Sequence, residues 1–275
     1  MIKLSKWTKG AALALMPLVL AGCSSTSNID ASSTGFWDRY IVYNFSQFII
    51  WLSNLLGGSY ALGIIVFTII LLAALTPLTK MQLDSQQQMA ELQPEIEALR
   101  QKFPNRDRAS MEALQQAQSD LMQERGVNQY AGCLPLVVQM PFMFALYQSI
   151  SRTEVLRTGH FLWMELGKAD PFFILPVLAA ALTWYSTYLT MKASPVQNST
   201  NKTMMYVMPA IILLVSLSFP SAITLYWVVS NAMRVAQTFI FYNPYKIIEE
   251  RQAKKEAEKA RQRQLRKALK KATKK

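Results

Sequence analysis

Long uncharged apolar runs punctuate this chain, and polar residues gather in separate blocks between them. The run from Tyr60 to Leu78 is long enough, at about 1.5 Å per helical residue, to cross a hydrocarbon core of roughly 30 Å. Cys133 to Ile150, Pro171 to Met191, Thr203 to Phe219 and Ala222 to Tyr242 predict four further spans, with only Pro220 and Ser221 left to turn the chain between the last two. Ahead of the first span, Phe36 to Leu56 mixes Trp37, Tyr40, Ile41, Phe45 and Phe48 with Asp38, Arg39, Asn44 and Gln47, a pattern that predicts an amphipathic helix in the outer interface, ended by Gly57 and Gly58. Thr79 to Gln129 is polar and broken at Lys102-Phe103-Pro104-Asn105, which predicts a helical hairpin with Asp107 or Ser110 capping its second arm. Met89, Leu92, Ile96 and Leu99 on one arm, and Met111, Leu114, Leu121 and Met122 on the other, recur at helical spacing and serve to seal the arms together. The expected fold is an all-α integral membrane protein: a five-transmembrane-helix bundle with an outer amphipathic helix and a helical hairpin on the cytoplasmic side.

Composition agrees with the bilayer as solvent, since 51% of the 275 residues are hydrophobic and only 17% charged. The net charge of +12 suggests nucleic acid until it is located along the chain. Residues 243–275 hold 13 Lys and Arg against 4 Glu. Lys3, Lys6 and Lys9, the apolar stretch Ala11 to Leu20 and then Leu20-Ala21-Gly22-Cys23 follow the pattern of a cleavable secretory signal, similar to the bacterial lipobox in which the Cys is acylated and becomes the new N-terminus. Removal of 1–22 takes away three lysines, so the tail accounts for the whole remaining excess. With Cys23 translocated, the outer segments hold only Arg39, Arg152, Arg157 and Lys168, whereas hairpin, short loop and tail hold 6, 2 and 13 basic residues; the positive-inside rule gives the same orientation. The expected domains are a signal peptide (1–22), a lipidated N-terminus with the outer helix (23–58), the five-span core (59–242, hairpin 80–129) and a basic cytoplasmic tail (243–275).

Catalytic chemistry finds little footing. Cys133 is the only cysteine besides Cys23, so neither a disulfide framework nor a cysteine metal site is available. The single His160 lies beside Phe161 and Trp163 in an outer loop and reads as solvated or interfacial. No buried Ser/His/Asp set, His-Glu-x-x-His or pair of intramembrane aspartates is present, so no enzyme, cofactor or metal is expected. A transporter or channel is the rival class, but it predicts acidic or paired charges at mid-membrane, and the chain has none.

Several strings coincide in order and spacing: Pro77-Leu78-Thr79-Lys80-Met81-Gln82, Glu91-Leu92-Gln93-Pro94-Glu95-Ile96, Gly126-Val127-Asn128, Ala131-Gly132-Cys133-Leu134-Pro135-Leu136, Gln139-Met140-Pro141, Ala145-Leu146-Tyr147, Phe161-Leu162-Trp163 and Leu225-Tyr226-Trp227-Val228-Val229. With the lipobox, they resemble the YidC membrane-protein insertases, relatives of the Oxa and Alb proteins, in the short lipoprotein form of Gram-positive bacteria. The resemblance implies a hydrophilic groove open to the cytoplasm and the lipid, and a chaperone role in which nascent membrane proteins are received, alone or beside the Sec translocon, and released into the bilayer. No bond is made or broken.

In that family the groove is marked by an arginine in the first span, four residues after a Thr and five before a Pro. Here the anchors are Thr68 and Pro77, and the position between them is Leu72. Thr68, Leu72 and Thr76 share a helical face, where the threonines either line a groove or bond back to their own helix carbonyls. Trp227, Asn231, Arg234 and Thr238 form a second stripe on the fifth span. Arg234 is the only charge embedded in a predicted span, and either snorkels to the inner surface or faces the groove. Together Leu72 and Arg234 suggest that the groove's charge has moved from the first span to the fifth. Ser186 and Thr187 on the third span fall where relatives carry glutamine, and Gln139 is a buried polar group that either needs a partner or water or satisfies the carbonyl freed by Pro141. For the tail, three readings stand: anionic lipids at the inner surface, the ribosome through its RNA, or a solvated run that secures topology.

Overall fold

The computed structural model describes residues 28–105, 107–127, 134–195 and 199–272; the signal segment 1–22, Cys23 and Cys133 lie outside the described residues. Helix α1 (Trp37–Leu55) begins with a π-wound stretch, Trp37–Val42. Gly57 and Gly58 take φ of 75° and 83°, a conformation costly for any residue with a Cβ, and the chain bends by 115° into α2 (Tyr60–Ala74). The two helices cross closely at Gly63, where a Cβ would collide with the Ser53 hydroxyl and stand 2.8 Å from the Ile49 carbonyl. Close crossing on small residues is how helices gain packing where lipid is as apolar as leucine.

A single non-helical residue, Leu75, separates α2 from α3 (Thr76–Lys102), so the apolar helix ends earlier than the run to Leu78 predicts and the polar arm begins at Thr76, before residue 80. Pro77 sits in the first turn of α3, where its missing N–H has no intrahelical partner to lose. Helix α4 (Arg108–Glu124) is capped by Asp107, whose carboxylate accepts from the Ser110 amide at 3.2 Å. Leu92 and Ile96 pack on Met122 and Val127 between the arms, and Arg125 pairs with Glu95 at 2.9 Å. Met111, expected in that seam, is exposed.

The chain continues through α5 (Leu134–Arg152) and a single turn, α6 (Glu154–Arg157). Where an irregular loop and an all-helical chain were expected, His160–Phe161 (β1) pairs antiparallel with Met164–Glu165 (β2). Leu162, at φ 53°, makes the reversal, and Gly167 lies so close to the Arg157 carbonyl that a Cβ would stand 2.5 Å from it. Then follow α7 (Ile174–Lys192), α8 (Ser199–Ser216), α9 (Ser221–Phe241) and α10 (Pro244–Ala272). Among the described residues α7 alone is long and apolar enough to cross a membrane by itself; α1 and α2 reach that standard only as a bent pair. Helix α2 is short at 15 residues, Lys202–Ser216 of α8 is apolar but shorter than a span, and α9 carries Asn231, Arg234 and Gln237 along its length.

The buried core occupies one end of the bundle. Ile49 from α1, Ile64 from α2, Ile150 from α5, Met164 from β2, Leu175 from α7 and Ile223 from α9 meet there. Helix α9 packs against α7, α2 and α5, and α8 packs on the outside of α7. At the same end, Arg152 is buried and grips Asp38 with both guanidinium nitrogens, at 2.7 and 3.0 Å, while its Nη1 also donates to Gln148 at 3.2 Å. The Trp37 indole donates to the same Gln148 oxygen. Asp170 caps α7 by accepting from the Leu175 and Phe172 amides, and accepts from the Trp163 indole. Ser221 donates through its amide and its hydroxyl to the Lys168 carbonyl, fixing the start of α9.

Two outcomes are expected. Arg152→Ala leaves the half-buried Asp38 without its counter-ion and should cost about 2–4 kcal/mol in thermal unfolding of the purified protein, far more than Arg157→Ala at an exposed site. Hydrogen bonds from Ser110, through its hydroxyl and its amide, hold the Asp107 carboxyl below its ordinary value. A depressed folded-state value stabilises above the unfolded one, so protection of α4 amides from hydrogen exchange should fall as the pH drops below about 4, and Asp107→Asn should flatten that dependence.

Candidate substrate groove

Away from the closed end the bundle changes character. Thr68 is fully buried, and its hydroxyl donates to the Ile64 carbonyl at 2.7 Å, the back-bonding alternative rather than the lining one. Leu72 is half-buried, and its carbonyl accepts from the Thr76 hydroxyl at 3.1 Å. Thr76 in turn accepts from the side-chain amide of Gln237 at 3.2 Å, which ties the start of α3 to α9. On α7, Ser186 and Thr187 both donate to the Thr183 carbonyl, at 3.0 and 2.8 Å. Thr183 and Thr190 continue the ladder, donating to Ala179 and Ser186. Each hydroxyl donates to its own helix and keeps acceptor capacity. Gln139 is half-buried on α5, and among the described residues no side-chain hydrogen bond joins it to the backbone around Pro141.

The stripe on α9 is present as a face. Trp227 packs on Phe219 with ring centroids 5.5 Å apart, Asn231 donates to the Trp227 carbonyl at 2.9 Å, and Thr238 donates to that of Arg234 at 2.9 Å. Arg234 itself is half-buried, and among the described residues its guanidinium forms no ion pair and no hydrogen bond. About two turns toward the closed end, the Tyr226 hydroxyl is buried and makes no hydrogen bond of good geometry among the described residues.

Register relates the two stripes. Ala61 and Ile64 near the start of α2 share the core with Ala222 and Ile223 near the start of α9, and Thr76 meets Gln237 beyond the end of one and near the end of the other. The helices therefore run parallel. Leu72 lies four residues before Thr76 and Arg234 three before Gln237, so leucine and arginine stand at about the same depth, one helical turn from the hydrogen bond.

Sequence reasoning missed Gln237, Tyr226, Thr183 and Thr190. Gln237 was legible in principle, being three residues from Arg234 and hence on the neighbouring ridge of the same helix. Among the described residues no group of three His, Cys, Asp or Glu is placed to hold a metal ion.

The Thr76–Gln237 bond should be asymmetric. Thr76→Val strands a buried amide and should cost about 1–3 kcal/mol; Gln237→Leu leaves Thr76 still bonded to the Leu72 carbonyl and should cost under about 1 kcal/mol. The double variant should recover most of the single loss, measured as a double-mutant cycle in thermal unfolding.

With that geometry in view, the likeness to known proteins is specific. The family model described as 60Kd inner membrane protein matches residues 51–250. The membrane protein insertase YidC of Pediococcus pentosaceus is 49% identical over 244 residues, covering 88% of this chain and 87% of that protein. The membrane protein insertase YidC 1 of Lactococcus lactis is 48% identical over 250 residues, covering 91% of this chain and 90% of its own. A crystal structure of an active YidC insertase with its first transmembrane domain resolved superposes with a TM-score of 0.62 at 27% identity, over 76% of this chain but only 48% of that one, so the chain spans about half the length of the solved protein. This chain belongs to the YidC family of membrane protein insertases.

Proposed function

We propose that this insertase works through a recess bounded by α2, α5, α7 and α9, closed at the end that holds the core and open toward α3, α4 and α10, with Arg234 as its fixed positive charge. The observation that carries this reading is the register: Arg234, unpaired among the described residues, stands at the depth of Leu72, where the family resemblance leads one to expect the charge. In this reading α2, α5, α7, α8 and α9 are the five spans and α1 lies in the outer interface. The α3–α4 hairpin (80–129 in the sequence reading) and the tail 243–275 are cytoplasmic. Support for the orientation is the distribution of Lys and Arg, and Leu20-Ala21-Gly22-Cys23 supports a signal at 1–22 and a lipid anchor on Cys23 outside, the short lipoprotein type.

The mechanism requires no chemical step. A polar terminus or loop is expensive in hydrocarbon, so a recess with hydroxyl acceptors on α7 and a guanidinium on α9 lowers the barrier to its passage, while apolar segments move out against lipid. Nascent membrane proteins are the substrates, received alone or from the Sec translocon, and the basic tail meets anionic lipids and the ribosome by backbone electrostatics.

Insertion of a small single-span protein into vesicles carrying the purified chain tests the reading. Arg234→Ala should reduce insertion several-fold, and Leu72→Arg added to it should restore it. Unchanged insertion by Arg234→Ala sinks the role given to that residue, and solute flux without insertion would support a transporter instead.

A further inference from the structure

Beyond the last turn of α9, a cleft of about 650 Å³ opens between the hairpin arm α3 and the base of the tail helix α10. Its roof is apolar, formed by Phe239, Ile240 and Phe241, and Ile240 is 73% exposed. Its floor is on balance cationic, with Lys246, Arg251 and Lys254 beside Glu250 on α10. Two contacts hold that part of α10 in place. The Lys192 ammonium lies 4.3 Å from the ring centroid of Tyr245 and 5.4 Å from that of Tyr188, and Arg251 donates to the Ala193 carbonyl at 2.9 Å. The tail is thus docked at its base on the end of α7, and the floor of the cleft is a built surface rather than a free coil.

Lys246 and Lys254 are eight residues apart on one face of α10, about 12 Å. Among the described residues neither ammonium forms an ion pair or a hydrogen bond, and Glu250, one turn from each, closes on neither. Glu91 on the opposite wall accepts from Gln87 at 3.0 Å. The site therefore offers two unpaired ammonium groups beneath an apolar ledge, with Tyr242 and Tyr245 at the boundary, as aromatic residues stand at a membrane interface.

We infer that this cleft binds the headgroup of an anionic phospholipid, with the phosphate held between Lys246 and Lys254 and the acyl chains running along Ile240 and Phe241. Nucleic acid fits the place less well, because the apolar roof continues into the span, whereas the exposed basic residues from Lys255 onward lie farther out on α10. The inference rests on the cytoplasmic orientation proposed above for α3 and α10. A lipid so placed bridges hairpin arm and tail, and couples the position of α3 to the composition of the inner leaflet.

The test uses the full chain in phosphatidylcholine vesicles and compares spin-labelled phosphatidylglycerol with spin-labelled phosphatidylcholine by electron spin resonance. The intact protein should hold the anionic label preferentially, by roughly five-fold for each contributing lysine. Lys246→Gln with Lys254→Gln should abolish most of that preference, while Lys255→Gln with Lys267→Gln, which removes the same charge from the same helix outside the cleft, should leave it. Equal loss in both variants, or no preference in the intact protein, overturns the site. Displacement of the label by millimolar inorganic phosphate would make the occupant a free anion and overturn the lipid assignment. Trypsin added to membrane vesicles of known sidedness prepared from cells reports which face the tail occupies, so a failure of the orientation is seen separately from a failure of the site, and neither readout depends on insertion activity.

Discussion

Everything in the bundle depends on how its closed end is held, and there the decisive contact is the buried pair of Arg152 and Asp38. Removing two charges from water is expensive, and a buried ion pair is weak grounds for net stability. Its value here is geometric. Arg152 ends α5 and Asp38 starts α1, so the pair, with Gln148 and Trp37 bonded into it, fixes the distance between two elements more than a hundred residues apart in sequence. The Ile29 amide adds a bond to the Arg152 carbonyl. Once α1 and α5 are set, Gly63 allows α2 to lie against α1, and α9 closes the ring by packing on α2, α5 and α7.

A bundle locked at one end is free to be polar at the other. The main apolar cluster ends before the level of Leu72; beyond it, among the described residues, hydroxyls bond to their own helix carbonyls and the Thr76–Gln237 hydrogen bond joins α3 to α9. Such contacts are individually weak and leave acceptors unused. In the role proposed for this recess that is an advantage, since a tightly satisfied interior would have nothing to offer a polar segment. The outer surface differs: Tyr206, Val207, Ile211 and Leu214 on α8 and Val177 on α7 are exposed, and in the proposed arrangement these residues face lipid.

Much of this was legible along the chain because it depends on local pattern. The turn at Gly57 and Gly58, the cap at Asp107, the break around Pro104 and the location of net charge in the tail follow from residue type and spacing alone. Other features were hidden because their partners are distant. Arg152 looked like a loop charge, since nothing near it in sequence announces Asp38, and the role of Gln237 shows only with Thr76 opposite it. Thr68 shows the limit from the other side: the neighbouring helices bury it, and the helix that its stripe assumed ends at Ala74, before Thr76.

The sequence by itself determined a lipid-soluble helical chain, its polar arms and the placement of its charge, because hydropathy, helix period and turn chemistry act over a few residues. Only the tertiary structure decided which end of the bundle is sealed, that Leu72 and Arg234 share one depth, and that the tail is docked on α7 by Lys192, Tyr245 and Arg251. Those are relations between helices, set by the register in which side chains interlock, and no local signal carries a register.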